Sequence, residues 1–339
     1  MISTRALILN KIQSRLLKKH LLKLLDSITN WKQFLLGYPF LHRAFQSYLG
    51  YPLNLRSPQT FNEHIQVKKL TNRDRLLVQT SDKLLARQYI KQVLGEEEGE
   101  KILIPLYFVT DDERKIPFEN LPEEYFLKAN HFSGGNLLVE KDIDKQLILQ
   151  KAERWLLKSY GQNLHEWAYR DIPRRLLGEK VLRDQDGKIP MDIKIYCFHG
   201  KAKMVSFHLD RFGEKKRINT DIYLNPITGA KTRGDIVLSS APEIKVFPEL
   251  IRLAEELSKE FEHVRMDFYC IDEQIYFGEF THYCASGLAP FDDYRVDWAL
   301  GQFWKIENRD KSIMDLVEQF DSGNHKNPIR KLIRLEIAF

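Results

Sequence analysis

Lys128 ends the apolar run YFLK and is followed, after Ala129-Asn130-His131-Phe132, by Ser133-Gly134-Gly135-Asn136. A cation at the root of a small-residue turn has two readings. One is a plain β-hairpin, in which Gly-Gly tolerates positive φ and Leu137-Leu138-Val139 supplies the return strand. The other is a turn built to hold a phosphate. A second group lies far downstream. In VRMDFYC (264–270), alternation puts Arg265 and Asp267 on one face and Met266 and Phe268 on the other. In QIYFGEFT (274–281), the same rule groups Phe277, Glu279 and Thr281. If these faces meet, Asp267 and Glu279 converge beside Arg265. Two carboxylates that close repel unless a cation joins them, and Mg²⁺ is the natural one because it takes hard oxygen ligands and comes with phosphates. The alternative is a surface ion pair of Arg265 with one carboxylate. Together the two groups describe a nucleotide site. It is neither a P-loop, since no GxxxxGK[ST] occurs, nor a protein kinase, since HRD and DFG are absent.

The elements that must position these groups follow from periodicity and punctuation. SPQTFNEHIQVKKL predicts a capped helix, with Thr60 as N-cap and Glu63 three residues on. SDKLLARQYIKQVLG predicts another, capped by Ser81 and stopped by Gly95. ILIPLYFV (102–109) reads as a strand, YFLKAN and LLVE as the hairpin, and 142–161 as a helix ending at a glycine. Three strand-like runs follow at 175–182, 192–199 and 203–209, then an amphipathic helix at 246–261 and the final hairpin. No internal repeat or low-complexity linker interrupts them, and the order suggests an α+β fold.

At 339 residues the chain is long enough for two or three lobes, and 43% hydrophobic with 29% charged residues is ordinary for a globular protein. No apolar run approaches the roughly 20 residues that span a bilayer. Cys197, Cys270 and Cys284 are odd in number and form no CxxC pair, which disfavours a disulfide framework or structural zinc and suits a reducing cytosol. Residues 1–30 hold six basic residues against one acidic, and the tail from Ser322 four against one, around a mildly acidic body. That pattern argues against a nucleic-acid partner with its basic groove. The leucine- and lysine-rich segment 1–30 reads either as an interfacial helix on an anionic membrane or as a helix packed on the body.

The stretches SPQTFNEHIQ, SDKLLARQYI, LPEEYFLKANHFSGGN, DIKIYCFHGKAKMV, FEHVRMDFYCIDEQIYFGEFTHYCASGLAPFD and WALGQFW, in this order over about Leu53 to Ile306, resemble the ATP-grasp superfamily. Within it they are similar to the TupA-like branch associated with teichuronopeptide and surface-polysaccharide biosynthesis. The resemblance implies an α+β ATP-grasp fold, with the nucleotide sandwiched between a glycine-flap lobe and a C-terminal mixed lobe, preceded by helices. The corresponding segments are a basic helical start (1–50), an N-terminal lobe (51–110), a central lobe with the flap (111–182), a C-terminal lobe with the metal site (183–308) and a helical basic tail (309–339).

Residue by residue, the resemblance makes Lys83 and Lys128 phosphate-contacting lysines and Ser133-Gly134-Gly135-Asn136 the flap over the β- and γ-phosphates, with His131 inside the flap touching phosphate. Glycines there let backbone N–H groups approach phosphate oxygens. Glu179, Lys180 and Leu182 resemble the hinge that reads adenine, Asp192 the ribose-binding carboxylate, and Lys194 a further phosphate contact. Asp267, Glu279 and Thr281 stand as the Mg²⁺ ligands, although relatives place an asparagine where this chain has Thr281. Arg265 stabilises the transferring phosphoryl group. Arg211 and Arg217, in a cationic stretch between the central strands and the metal hairpin, read either as a solvated loop or as holding a carboxylated sugar or the γ-phosphate, and the resemblance puts Ser286 and Gly287 where the acyl substrate is held. The implied activity is an ATP- and Mg²⁺-dependent carboxylate–amine ligase acting through an acyl phosphate on a carboxylated or lipid-linked glycan. The implied location is cytoplasmic, at the inner membrane face if residues 1–30 bind lipid. Two other readings compete: a glycosyltransferase using Asp142-x-Asp144 or Asp184-x-Asp186, and a nucleotide-binding scaffold without turnover, suggested by Thr281.

Overall fold

The computed structural model describes residues 31–162, 164–209, 216–230 and 236–323, with residues 21, 24, 28, 29, 325, 327 and 328. Most of residues 1–30 therefore lies outside the described residues, as does the tail beyond 328. Helix α1 (Pro39–Leu49) buries Leu41, Phe45 and Leu49 in a small cluster with Tyr51 and Leu53. Helix α2 (Phe61–Thr71) starts where its sequence says it should. The Thr60 hydroxyl accepts from the Glu63 N–H at 3.2 Å, and Glu63 Oε2 accepts from the Thr60 N–H at 3.1 Å. Such a cap is typically worth about 1 kcal/mol.

Ser81 does not cap a helix. It ends α3 (Arg75–Ser81), and Asp82 holds the turn into α4 (Leu85–Leu94) by accepting from the Leu84 N–H at 2.9 Å. The carboxylate one residue on is the stronger acceptor and displaces the serine from that role. Gly95 does end α4, and α5 (Glu96–Lys101) starts directly behind it.

Two sheets follow. The smaller contains β1 (Leu106–Thr110), β2 (Tyr125–Ala129), β3 (Asn136–Val139) and β4 (Leu176–Glu179) in the order β1-β4-β2-β3, all antiparallel. The run 102–109, placed by sequence with the N-terminal lobe, thus ends as an edge strand of the flap sheet. Helix α6 (Lys145–Leu157) presents Ile148, Ala152 and Leu156 to Tyr125, Leu127 and Leu176 of that sheet.

The larger sheet contains β5 (Asp192–Phe198), β6 (Lys201–Leu209), β7 (Lys216–Thr220), β8 (Ile236–Val237), β9 (His263–Ile271) and β10 (Gln274–Thr281), ordered β10-β9-β5-β6-β7-β8. One face is apolar: Ile193, Ile195, Val205, Phe207, Met266 and Phe268 are buried in one core with Leu250, Leu253 and Leu257 of α7 (Phe247–Leu257). Each such side chain contributes about 1.5–3 kcal/mol when fully buried. Because side chains alternate, this anchoring commits the intervening residues to the opposite face. There the register lines up a polar row across five strands: Glu279 opposite Asp267, Asp267 opposite Lys194, Lys194 opposite Ser206, and Ser206 opposite Asn219. Helices α8 (Tyr294–Gln302) and α9 (Ile313–Ser322) complete the described fold. Among the described residues no helix is long and apolar enough to cross a membrane.

Candidate functional site

Alternation fails within β10, and the failure matters. Phe277 pairs with Phe268 on the apolar face, whereas Glu279 pairs with Asp267 and Thr281 with Arg265 on the polar face. Phe277 therefore does not share a face with Glu279. A bulge between them, at Gly278, inserts one residue and turns the strand over. An ideal Cβ at Gly278 would lie 3.0 Å from the Asp267 carbonyl oxygen, so a residue without a side chain suits this close approach.

Asp267 is buried and doubly held. Arg265 Nε and Nη2 donate to its two oxygens at 2.6 and 2.9 Å, and Lys194 Nζ pairs with Oδ2. Burial alone would raise its carboxyl, but Arg265 and Lys194 outweigh burial and hold it at about 2. The same guanidinium donates to Thr281 Oγ1 at 2.9 Å and stands 3.8 Å from Glu279, whose other oxygen is 3.6 Å from Lys83. Glu279 remains one-third exposed.

Of these groups Lys83, Arg265, Glu279 and Thr281 face a cavity of about 1200 Å³, whereas Asp267 and Lys194 are not on its wall. Of the sequence-predicted residues, Arg265, Glu279, Thr281 and Ser286 lie on its wall, and Lys83, Lys128, Ser133 and Glu179 join them from the other side. Lys83 Nζ also donates to the Phe132 carbonyl in the turn between β2 and β3 at 3.1 Å. Lys128 bonds directly to Glu179 across β2 and β4. Asn136, Lys180 and Leu182 border a narrower slot that shares Lys128 and Glu179 with the main cavity. In this slot the Lys180 N–H is already donated to the Pro105 carbonyl, at 3.0 Å.

Several predicted residues stand elsewhere. His131 is buried, with Nε2 3.2 Å from the Lys158 carbonyl oxygen, and burial lowers its imidazole to about 4; it is not on the cavity wall. It packs against Phe132, because the turn tucks its first two residues inward and leaves Ser133 and Gly134 outside. Asp192, buried, and Lys194, partly buried, stand off the wall with their charged groups 3.9 Å apart. Gly134, Gly135 and Gly287 are off the cavity wall, next in sequence to the lining Ser133 and Ser286. Arg217 is also off the wall, with Nη2 3.5 Å from His208 Nδ1. Arg211 lies outside the described residues. His282, just past the end of β10, packs inward, with Nε2 2.7 Å from Thr80 Oγ1. The two Asp-x-Asp candidates are spent on local turns. Asp144 caps α6 through the Gln146 N–H at 2.8 Å, and Asp184 accepts from Asp186 and Lys188 N–H at 3.0 and 2.8 Å.

Sequence reasoning missed Glu166 and the α1 residues Phe40 and Tyr48, all on the cavity wall. The segment carrying Glu166 has no regular periodicity, and α1 reads only as part of a helical start.

The donor set suits Mg²⁺ by ligand type. Asp267 and Glu279 offer hard oxygens directly opposite one another, and Thr281 adds a hydroxyl. Among the described residues no cluster of three or more His, Cys, Asp or Glu could form an all-protein cage. Few protein ligands, completed by phosphate oxygens and water, is how Mg²⁺ is usually bound.

A model of the family described as TupA-like ATP-grasp matches residues 63–305. No curated protein matches the chain. Among solved structures, it is similar to D-alanine–D-alanine ligase from Bacillus anthracis complexed with ATP, at 11% identity and TM-score 0.38, covering 71% of this chain and 67% of that one. It is also similar to the ADP complex of N5-carboxyaminoimidazole ribonucleotide synthetase (12%, TM-score 0.37, 61% and 46%) and to the ATP-grasp ligase PsnB complexed with a minimal precursor (10%, TM-score 0.35, 61% and 54%). The matched region spans about half the length of these last two. With the family model covering well over half of its length, the chain belongs to the TupA-like ATP-grasp family.

Proposed function

We propose that this protein is an ATP-dependent carboxylate–amine ligase working through an acyl phosphate. The observation that carries this reading is one cavity bordered by Lys83, Lys128, Arg265 and Glu279, with Asp267 directly opposite Glu279 on the next strand. Lys83 and Lys128 bind the ATP phosphates, Ser133-Gly134-Gly135-Asn136 cover them, and the backbone around Lys180 and Leu182 meets the adenine. Asp267 and Glu279, with Thr281, hold Mg²⁺, which when bound neutralises charge on the phosphate oxygens.

A substrate carboxylate oxygen attacks the γ-phosphorus, the bond to the β-phosphate breaks, and ADP leaves. Arg265 offsets the charge that spreads over the transferring group. The acyl phosphate then loses phosphate to an attacking amine, giving an amide. The protein's work is positioning and charge neutralisation, so cations serve it better than a covalent nucleophile. Ser286, on the cavity wall, seats the acyl group, and Gly287 supports it from off the wall.

The branch resemblance points to a cell-surface glycan or its lipid-linked precursor as substrate. The basic segment 1–30 would hold the enzyme at an anionic inner leaflet, beside the exposed Trp31, Phe34 and Leu35. The full chain, incubated with ATP, Mg²⁺ and panels of uronic acids, amino acids and amines, should release ADP and phosphate with amide formation. Consumption of a nucleotide sugar without ADP release would identify a transferase instead, and no turnover with ATP bound would leave a scaffold.

A further inference from the structure

Beside Ser286, the cavity holds a charged group with no part in the phosphate chemistry. Glu166 is buried yet lies on the wall. It precedes the short turn Trp167–Asp171, and Gly161 packs so closely on it that an added Cβ would sit 2.2 Å from the Glu166 carbonyl oxygen. Ser286 shares that wall, and its hydroxyl oxygen accepts from Lys69 Nζ at 3.0 Å. Lys69 also donates to the Ser286 carbonyl at 2.7 Å, and Gln66 Nε2 donates to the Ser286 and Gly287 carbonyls at 3.0 and 2.6 Å. These bonds hold Ala285 and Ser286 in the left-handed region, at φ 43° and 56°, an arrangement that needs support from its surroundings.

Three tyrosines share this end of the cavity. Tyr160, Tyr169 and Tyr283 lie on the wall, with ring centroids 5.1 Å apart for the first two and 6.0 Å for the last two. A carboxylate among aromatic rings is a recognition site for an ammonium group, since the rings add cation–π attraction to the ion pair. It is a poor site for a carboxylate or phosphate, which Glu166 would repel. Burial raises the Glu166 carboxyl and lowers the Lys69 ammonium, while their mutual attraction opposes both.

We propose that Glu166, with Tyr160, Tyr169 and Tyr283, forms the subsite for the ammonium group of the amine substrate and takes the proton that nitrogen must lose before it attacks. This rests on the ligase reading. Glu166 accepts a proton from R–NH₃⁺, leaving R–NH₂ and a carboxylic acid. The nitrogen lone pair then forms the C–N bond as the C–O bond to phosphate breaks with its electrons on the phosphate. The remaining excess proton on nitrogen passes to the departing phosphate.

The full chain is titrated with propylammonium, and with acetate as control, by ligand-observed NMR, while ATP affinity is measured separately. Propylammonium should bind wild type and lose about tenfold or more in affinity with Glu166→Gln, the loss expected for a charged hydrogen bond. Tyr169→Leu should weaken it by about threefold, and both variants should keep wild-type ATP affinity. With a carboxylate that supports ADP release, Glu166→Gln should slow amide formation from propylammonium far more than from hydroxylamine, which is already neutral at pH 7. Equal propylammonium affinity in wild type and Glu166→Gln, or equal slowing with both nucleophiles, overturns the proposal. If wild type binds no ATP, the ligase reading itself fails and the subsite falls with it.

Discussion

Each sheet carries a lysine–carboxylate pair across neighbouring strands, Lys128–Glu179 in one and Lys194–Asp267 in the other, and these two pairs are built differently. In the small sheet Lys128 of β2 meets Glu179 of β4, and both side chains border the cavity. In the large sheet Lys194 of β5 meets Asp267 of β9 off the wall, and Arg265 adds a second cation bonded to both carboxylate oxygens. Asp267 is therefore over-determined, and its position is fixed before any ligand arrives. In the proposed site Lys128 would exchange its carboxylate for a phosphate. In the proposed reaction one wall holds charge still while the other trades it, which suits a reaction in which ATP enters and ADP leaves.

The contrast breaks most easily at Asp267. Asp267→Asn removes a buried counter-charge from the partly buried Arg265 and Lys194, so it should cost about 3 kcal/mol of folding stability as well as turnover. Glu279→Gln, at a one-third-exposed side chain, should abolish turnover at a stability cost of under about 1 kcal/mol. Denaturant unfolding of the two variants checks the difference. Equal, small losses in both would mean that the buried cluster is not a structural anchor.

The exchangeable pair is tested by binding. Lys128→Ala should weaken ATP binding by about 1.5–3 kcal/mol, the range for hydrogen bonds to charged groups. Calorimetry on the folded variant showing wild-type affinity would remove Lys128 from the phosphate site.

Much of this arrangement was legible in the sequence because it is local. The Thr60–Glu63 capping box follows from a spacing of three residues, and the pairing of Asp267 with Glu279 follows largely from alternation. Alternation misplaced Phe277, because a bulge has no periodic signature beyond its glycine. His131 looked like a flap residue because neighbouring positions in a turn carry no information about which of them fold inward. Glu166 and Lys69 escaped notice because their meeting with Ser286 joins segments far apart in the chain, with no shared pattern to link them.

Acid sharpens the comparison further. The Asp267 carboxyl is depressed in the folded protein to about 2, from an unfolded value near 4. Its contribution is therefore fully present above the unfolded value and is lost as pH falls from about 4 through about 2. The loss should be on the order of 2 kcal/mol. The difference in unfolding free energy between wild type and Asp267→Asn should shrink across that window and stay flat from pH 5 to 7. A difference that instead changes between pH 5 and 7 would show that another group controls this cluster.

The smallest expected effect lies in the turn beside Lys128, where two adjacent glycines do different jobs. Gly134 is exposed with φ +79°, and an added Cβ there meets nothing within 4 Å. Gly135 is buried, and an added Cβ would lie 2.5 Å from the Phe132 ring. Gly134→Ala thus pays only for left-handed backbone, about 1 kcal/mol of stability, whereas Gly135→Ala must also displace a buried ring. If the turn serves solely as a hairpin, Gly134→Ala should leave ATP affinity at the wild-type value. If its backbone closes on phosphate, the methyl group stands where oxygens approach, and ATP affinity should fall by severalfold although the folded structure loses little. Thermal melts and ATP titrations of the two variants separate these cases. Unchanged ATP affinity in Gly134→Ala would return the turn to a structural role and leave Lys83 and Lys128 to hold the phosphates without a flap.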